Sequence, residues 1–65
     1  MRSIKGHMIV NQLGDQLSLV SKHGKNRCIE SFYGFPGLGI ARNRLLEDKN
    51  HCVRATLTID EEGGE

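Results

Sequence analysis

The plainest pattern along the chain lies near its C-terminal end. In "CVRATLTIDE", Val53, Ala55, Leu57 and Ile59 alternate with Cys52, Arg54, Thr56 and Thr58. A period of two with β-branched residues on both faces predicts a half-buried strand, because successive strand side chains point to opposite sides. "HMIV" (7–10) and "QLSLV" (16–20) read as two shorter strands, and Gly14-Asp15 between them supplies hairpin turn chemistry. "GIARNRLLEDKN" (39–50) carries the other period: Leu38, Ala41, Leu45 and Leu46 gather on one side at helical spacing, with Asn50 as a C-terminal stop.

"RCIESFY" (27–33) fits both periods. Cys28, Ile29, Phe32 and Tyr33 match a helix, while Ile29, Ser31 and Tyr33 alternate as in a strand. Its β-branched and aromatic content favours a third strand after the polar turn "KHGKN" (22–26). The order strand, strand, strand, helix, strand predicts an α+β fold: a small antiparallel sheet of three to four strands with one helix packed on one face. Residues 1–59 would form one domain, and the tail "DEEGGE" (60–65), all charge and glycine, would be disordered.

Size sharpens this picture. A chain of 65 residues buries only about 60% of its unfolded surface, so its core is thin and self-association would enlarge it. Trp is absent, and the three aromatics Phe32, Tyr33 and Phe35 sit within four residues. No long apolar run suggests a membrane span or a secretory segment, and two cysteines without an export signal suggest a cytoplasmic setting.

Charge is split along the chain. Through Leu46 there are seven basic residues and two acids; from Glu47 onward there are two basic residues and six acids. That asymmetry suggests a polyanion-binding body with an acidic tail. Within the expected helix the charges run against the macrodipole, with Arg42 and Arg44 toward the N-terminus and Glu47 and Asp48 toward the C-terminus. A bound phosphate at the helix start would remove the mismatch.

The segment "YGFPGLGIARNR" (33–44) is where such an anion would sit. Glycines let a backbone approach closely, a helix start offers free N–H groups, and the guanidinium fork suits phosphate oxygens. The same residues also serve simply to turn the chain from one element to the next. Established phosphate fingerprints do not fit. No Lys-Ser or Lys-Thr pair completes a Walker sequence, and Arg42 stands where a dinucleotide motif needs its third glycine.

Gly34-x-x-Gly37 followed three residues later by Ile40 resembles the GXXG loop of K-homology RNA-binding domains. The resemblance implies two helices joined by the loop, hence a helix at 27–33, and the order strand, helix, loop, helix, strand over 16–59. It also implies that Gly34 and Gly37 touch the nucleic-acid backbone. Phe35 and Pro36 depart from it, filling positions that usually include a basic residue. The fold expectation above rests on patterning, not on this resemblance.

Metal and thiol chemistry find less support. His7, His23, Cys28, His51 and Cys52 lack zinc-ligand spacing, and His51 and Cys52 would point to opposite faces of a strand. Cys28 has no residue that would orient a neighbouring His23 or His51 as its base, and a reduced setting argues against a Cys28–Cys52 disulfide. No catalytic residue, metal, cofactor or small-molecule substrate is expected. The expectation is a non-enzymatic regulator that binds RNA or single-stranded DNA. Lys22, Lys25 and Arg27 would act from the turn, Gly34, Phe35 and Gly37 from the loop, and Arg42 and Arg44 from the helix. Phe35 or Tyr33 would stack on an unpaired base. The other class is a protein-interaction module, a homodimer or a small inhibitor docking on a larger protein, with no nucleic-acid role.

Overall fold

Two nine-residue strands frame the chain in the computed structural model, which describes residues 2–59. They are β1 (Arg2–Val10) and β2 (His51–Ile59), with helices α1 (Lys25–Phe32) and α2 (Leu38–Glu47) between them. The strands pair antiparallel in unbroken register from Arg2↔Ile59 to Val10↔His51. This corrects the expected fold: the order is β-α-α-β, with a sheet of two strands rather than three or four and two helices rather than one. The acidic tail (60–65) lies outside the described residues.

Register decides which side of the ribbon meets the helices. Ile9 pairs with Cys52, and both meet the buried residues Cys28, Ile29, Ala41 and Leu45, with Phe32 and Tyr33 packed alongside. Because paired residues share a face and neighbours alternate, Ser3, Lys5, His7, Arg54, Thr56 and Thr58 lie on that same side. Ile4, Met8, Val53, Ala55, Leu57 and Ile59 lie on the other. The alternating apolar set that marks β2 in the sequence therefore faces away from the helices, and Leu57 is left 42% exposed.

The expected strand at 16–20 does not form. Asn11 organises the preceding turn by accepting the N–H groups of Leu13 and Asp15 on its side-chain oxygen, and Gly14 takes a positive φ of 87°. The chain then runs beside β1 but its backbone pairs with it only at isolated bridges, Val10↔Gln16 and His7↔Ser21. Three steps along β1 are matched by five along the segment, so no regular ladder can hold. Side chains take over: the Ser18 hydroxyl accepts the Ile9 N–H at 2.9 Å, and Gln16 Nε2 donates to the Ser18 carbonyl at 2.7 Å. Such bonds compete with sheet formation. Gly6 is required here, because a Cβ at that position would collide with the Ser21 carbonyl.

The expected third strand is instead α1. Cys28, Ile29 and Phe32 all turn toward the core, which a helix allows and an alternating strand does not. Both helices end in the same backbone motif. After α1, the N–H of Gly34 bonds the Ser31 carbonyl and that of Phe35 bonds the Glu30 carbonyl. After α2, Lys49 bonds Leu46 and Asn50 bonds Leu45. This Schellman pattern needs a left-handed residue at its turn: Gly34 (φ 82°) in one case, Lys49 (φ 59°) in the other. The stop of α2 is thus Lys49, one residue earlier than Asn50.

Candidate nucleic-acid interface

The loop between the helices is built by two glycines with different tasks. Gly34 terminates α1, and Gly37 (φ 109°, ψ 145°) is the N-cap of α2. Glycine has no side chain to cap with, no acid occupies the first turn of α2, and its first intrahelical bond is Ala41 N–H to the Gly37 carbonyl at 2.9 Å. The start of α2 is therefore a set of backbone donors without a side-chain cap. Gly39 is the third glycine, and the fold does not require it. Its backbone is helical, and a Cβ there would meet open space, as it would at Gly34 and Gly37.

Phe35 also has a left-handed backbone (φ 60°) and is 53% exposed. Its ring is already partnered: the Arg27 guanidinium sits 4.9 Å from the ring centroid, a cation–π contact. Tyr33 is different again. Its ring meets Phe32 edge-on at 4.9 Å, and its hydroxyl donates to Asp48 Oδ2 at 3.1 Å and accepts from Asn50 Nδ2 at 3.2 Å. Tyr33 is thus a clamp between the end of α1 and the α2–β2 junction, not a free stacking platform. Nothing in the sequence pattern singles out that clamp, because its three members lie 15 and 17 positions apart.

The basic residues divide into groups. Lys25 and Arg42 come together on a groove of ≈ 210 Å³ between the helices, whose other lining residues are Asn26, Ile29, Leu45 and Leu46. No acid lines it. Arg44 lies elsewhere. Two positions along a helix stand roughly 200° apart around its axis, and Arg44 acts electrostatically on the Tyr33 hydroxyl instead. It also sits in the last turn of α2, where a positive charge suits the dipole, and Arg42 lies past the first turn, so the reversed charge pattern narrows to Glu47 and Asp48. Lys22 is exposed, with its Cα beside Gly6 of β1.

The thiols are neighbours. Cys28 is buried, Cys52 is half-buried, both are free, and Cys52 Sγ lies 3.9 Å from the Lys25 carbonyl. Burial pushes the Cys28 thiol up, and burial together with Cys28 pushes Cys52 up to about 11. A thiol held protonated is a poor nucleophile. Cys52 turns inward rather than toward solvent, contrary to the surface placement its alternation with Val53 would suggest. Among the described residues, no three His, Cys, Asp or Glu side chains gather as a metal site. No described helix is long and apolar enough to cross a membrane.

The order β-α-α-β with Gly34-x-x-Gly37 between the helices agrees with the order that the K-homology resemblance implies, although the first strand is Arg2–Val10 rather than 16–20. Comparison with protein-family models, curated proteins and solved structures gave no match.

Proposed function

We propose that this protein is a small non-enzymatic regulator that binds nucleic acid by its phosphate backbone, through the α1–loop–α2 hairpin. The observation that carries this reading is the convergence of Lys25 and Arg42, far apart in sequence, on one groove free of acids. Two positive groups on an open concave surface attract a polyanion and release its counterions. Gly39 supports the same reading. A glycine inside a helix costs about 1 kcal/mol relative to Ala, and here it faces open space next to uncapped backbone donors. A phosphate oxygen can approach there as it cannot approach a side chain.

Fluorescence-anisotropy titration with short single-stranded RNA and duplex DNA at two salt concentrations tests it. Micromolar or tighter binding that weakens steeply with salt is expected, with loss of about tenfold or more for Lys25→Glu and Arg42→Glu. Gly39→Ala separates the two roles of the loop: stability rises while affinity falls. No binding at low salt, or equal affinity in all variants, would refute the reading.

One observation favours a second reading, self-association. The outer face of the ribbon carries Ile4, Met8, Val53, Ala55, Leu57 and Ile59, with neither of the described helices over it. Sedimentation equilibrium of the native chain and of Leu57→Lys tests that surface: a dimer lost in the variant would support it, and a monomer in both would exclude it.

A further inference from the structure

We propose that the helix-side face of the β1–β2 ribbon is a second contact for nucleic acid, one that enters the major groove of duplex DNA. It rests on the nucleic-acid reading above and adds the form of the ligand.

Three alternate cross-strand pairs make up the face: Ser3↔Thr58, Lys5↔Thr56 and His7↔Arg54. They share the side of the Ile9↔Cys52 pair but extend past the helices, and all except the half-buried His7 are exposed. Lysine, arginine and hydroxyl groups stand there with no carboxylate among these six residues. This is the donor set that duplex edges accept: Arg and Lys suit guanine O6 and N7, and Ser and Thr serve either base pair. The two Lys/Arg charges among the six, Lys5 and Arg54, are both positive and so favour an anionic partner.

Shape selects the duplex. The segment at 16–21 bridges β1 only at His7 and Val10, so the ribbon from Arg2 to Lys5 and from Thr56 to Ile59 is two strands wide. Four residues at about 3.3 Å each give a tongue roughly 13 Å long. The major groove of B-DNA, about 12 Å wide and 8.5 Å deep, admits a two-stranded ribbon. The Lys25 carbonyl lies 3.9 Å from Cys52 Sγ, in the pair that follows His7↔Arg54 on this face. Cations therefore continue from the ribbon to the groove between the helices, where they meet the flanking phosphates while the ribbon meets base edges. Single strands offer the ribbon no groove, and Tyr33 is not free to stack on them.

The test combines anisotropy with dimethyl sulfate protection of guanine N7, using a short DNA duplex, the same sequence as RNA duplex, and one of its single strands. The proteins are the native chain, Lys5→Gln/Arg54→Gln, Lys25→Glu/Arg42→Glu and Thr56→Lys, each checked for fold by circular dichroism. The native chain is expected to prefer duplex DNA and to protect N7. The Lys5→Gln/Arg54→Gln variant should lose about tenfold in duplex affinity and lose N7 protection. Thr56→Lys, which adds a charge to the face at the expense of one hydroxyl, should tighten duplex binding. If the ribbon variants bind and protect as the native chain does while Lys25→Glu/Arg42→Glu weakens binding, the ribbon contact is wrong and the hairpin reading stands. Equal affinity for the RNA duplex, whose major groove is too deep and narrow to enter, also overturns it. Absence of all nucleic-acid binding removes both.

Discussion

Gly34 and Lys49 occupy the same place in two copies of one helix-ending motif, and only one of them suits it. A left-handed backbone costs a residue with a Cβ roughly 1–2 kcal/mol and costs glycine little. Lys49→Gly is therefore expected to raise stability by about 1 kcal/mol and Gly34→Ala to lower it by a similar amount, read from urea unfolding midpoints. The thiols supply a pH dependence. Burial, with Cys28 adding to it, lifts the Cys52 pKa from 9.0 to about 11, so the folded chain holds that proton more tightly than the unfolded one. Stability is then complete below pH 9 and declines as pH climbs toward 11. Burial raises Cys28 and Tyr33 in the same direction. Thermal unfolding across that window should show the decline, and Cys52→Ser should flatten it.

Among the elements, α1 is held less by its own sequence than by its neighbours. Its eight residues are too few to be stable alone, and it has no side-chain cap at Gly24. What fixes it is Cys28, Ile29 and Phe32 turned into the core at its centre and the Tyr33–Asp48–Asn50 clamp at its end. Tyr33→Phe removes the hydroxyl and its two hydrogen bonds while keeping the ring. A loss of about 1 kcal/mol is expected in denaturant unfolding, with the contact to Phe32 retained. An unchanged midpoint would show that the clamp contributes nothing.

Across the whole molecule, what matters is where charges stand after folding, not where they fall in the chain. Arg42 lines the groove with Lys25, while Arg44 faces Tyr33 from the last turn of α2. The two charge reversals should therefore diverge although they change net charge equally. Arg42→Glu should weaken nucleic-acid binding and leave stability level, since position 42 lies past the first turn of α2, where the dipole acts. Arg44→Glu should lower stability by a few tenths of a kcal/mol and affect binding far less. Paired titration and unfolding of the two variants checks this, and identical behaviour would mean that only net charge counts.

Local pattern by itself determined β2, α2 and the glycine-rich junction. The alternation in "CVRATLTI" and the helical spacing of Ala41 and Leu45 are short-range signals that any packing must respect. It also marked Lys25, Arg42, Gly34 and Gly37 as residues to watch. The tertiary structure alone decided the rest. Residues 27–33 satisfy both periods, and the helix prevails because it turns Cys28, Ile29 and Phe32 to one side. Residues 16–20 alternate as a strand would, but Ser18 and Gln16 satisfy the backbone with side chains, and the five-against-three spacing breaks the ladder. The pairing of Ile9 with Cys52 sends the apolar set of β2 outward and the charged set toward the helices. A period of two says that a strand has two faces; only its partner across the sheet says which one is inside.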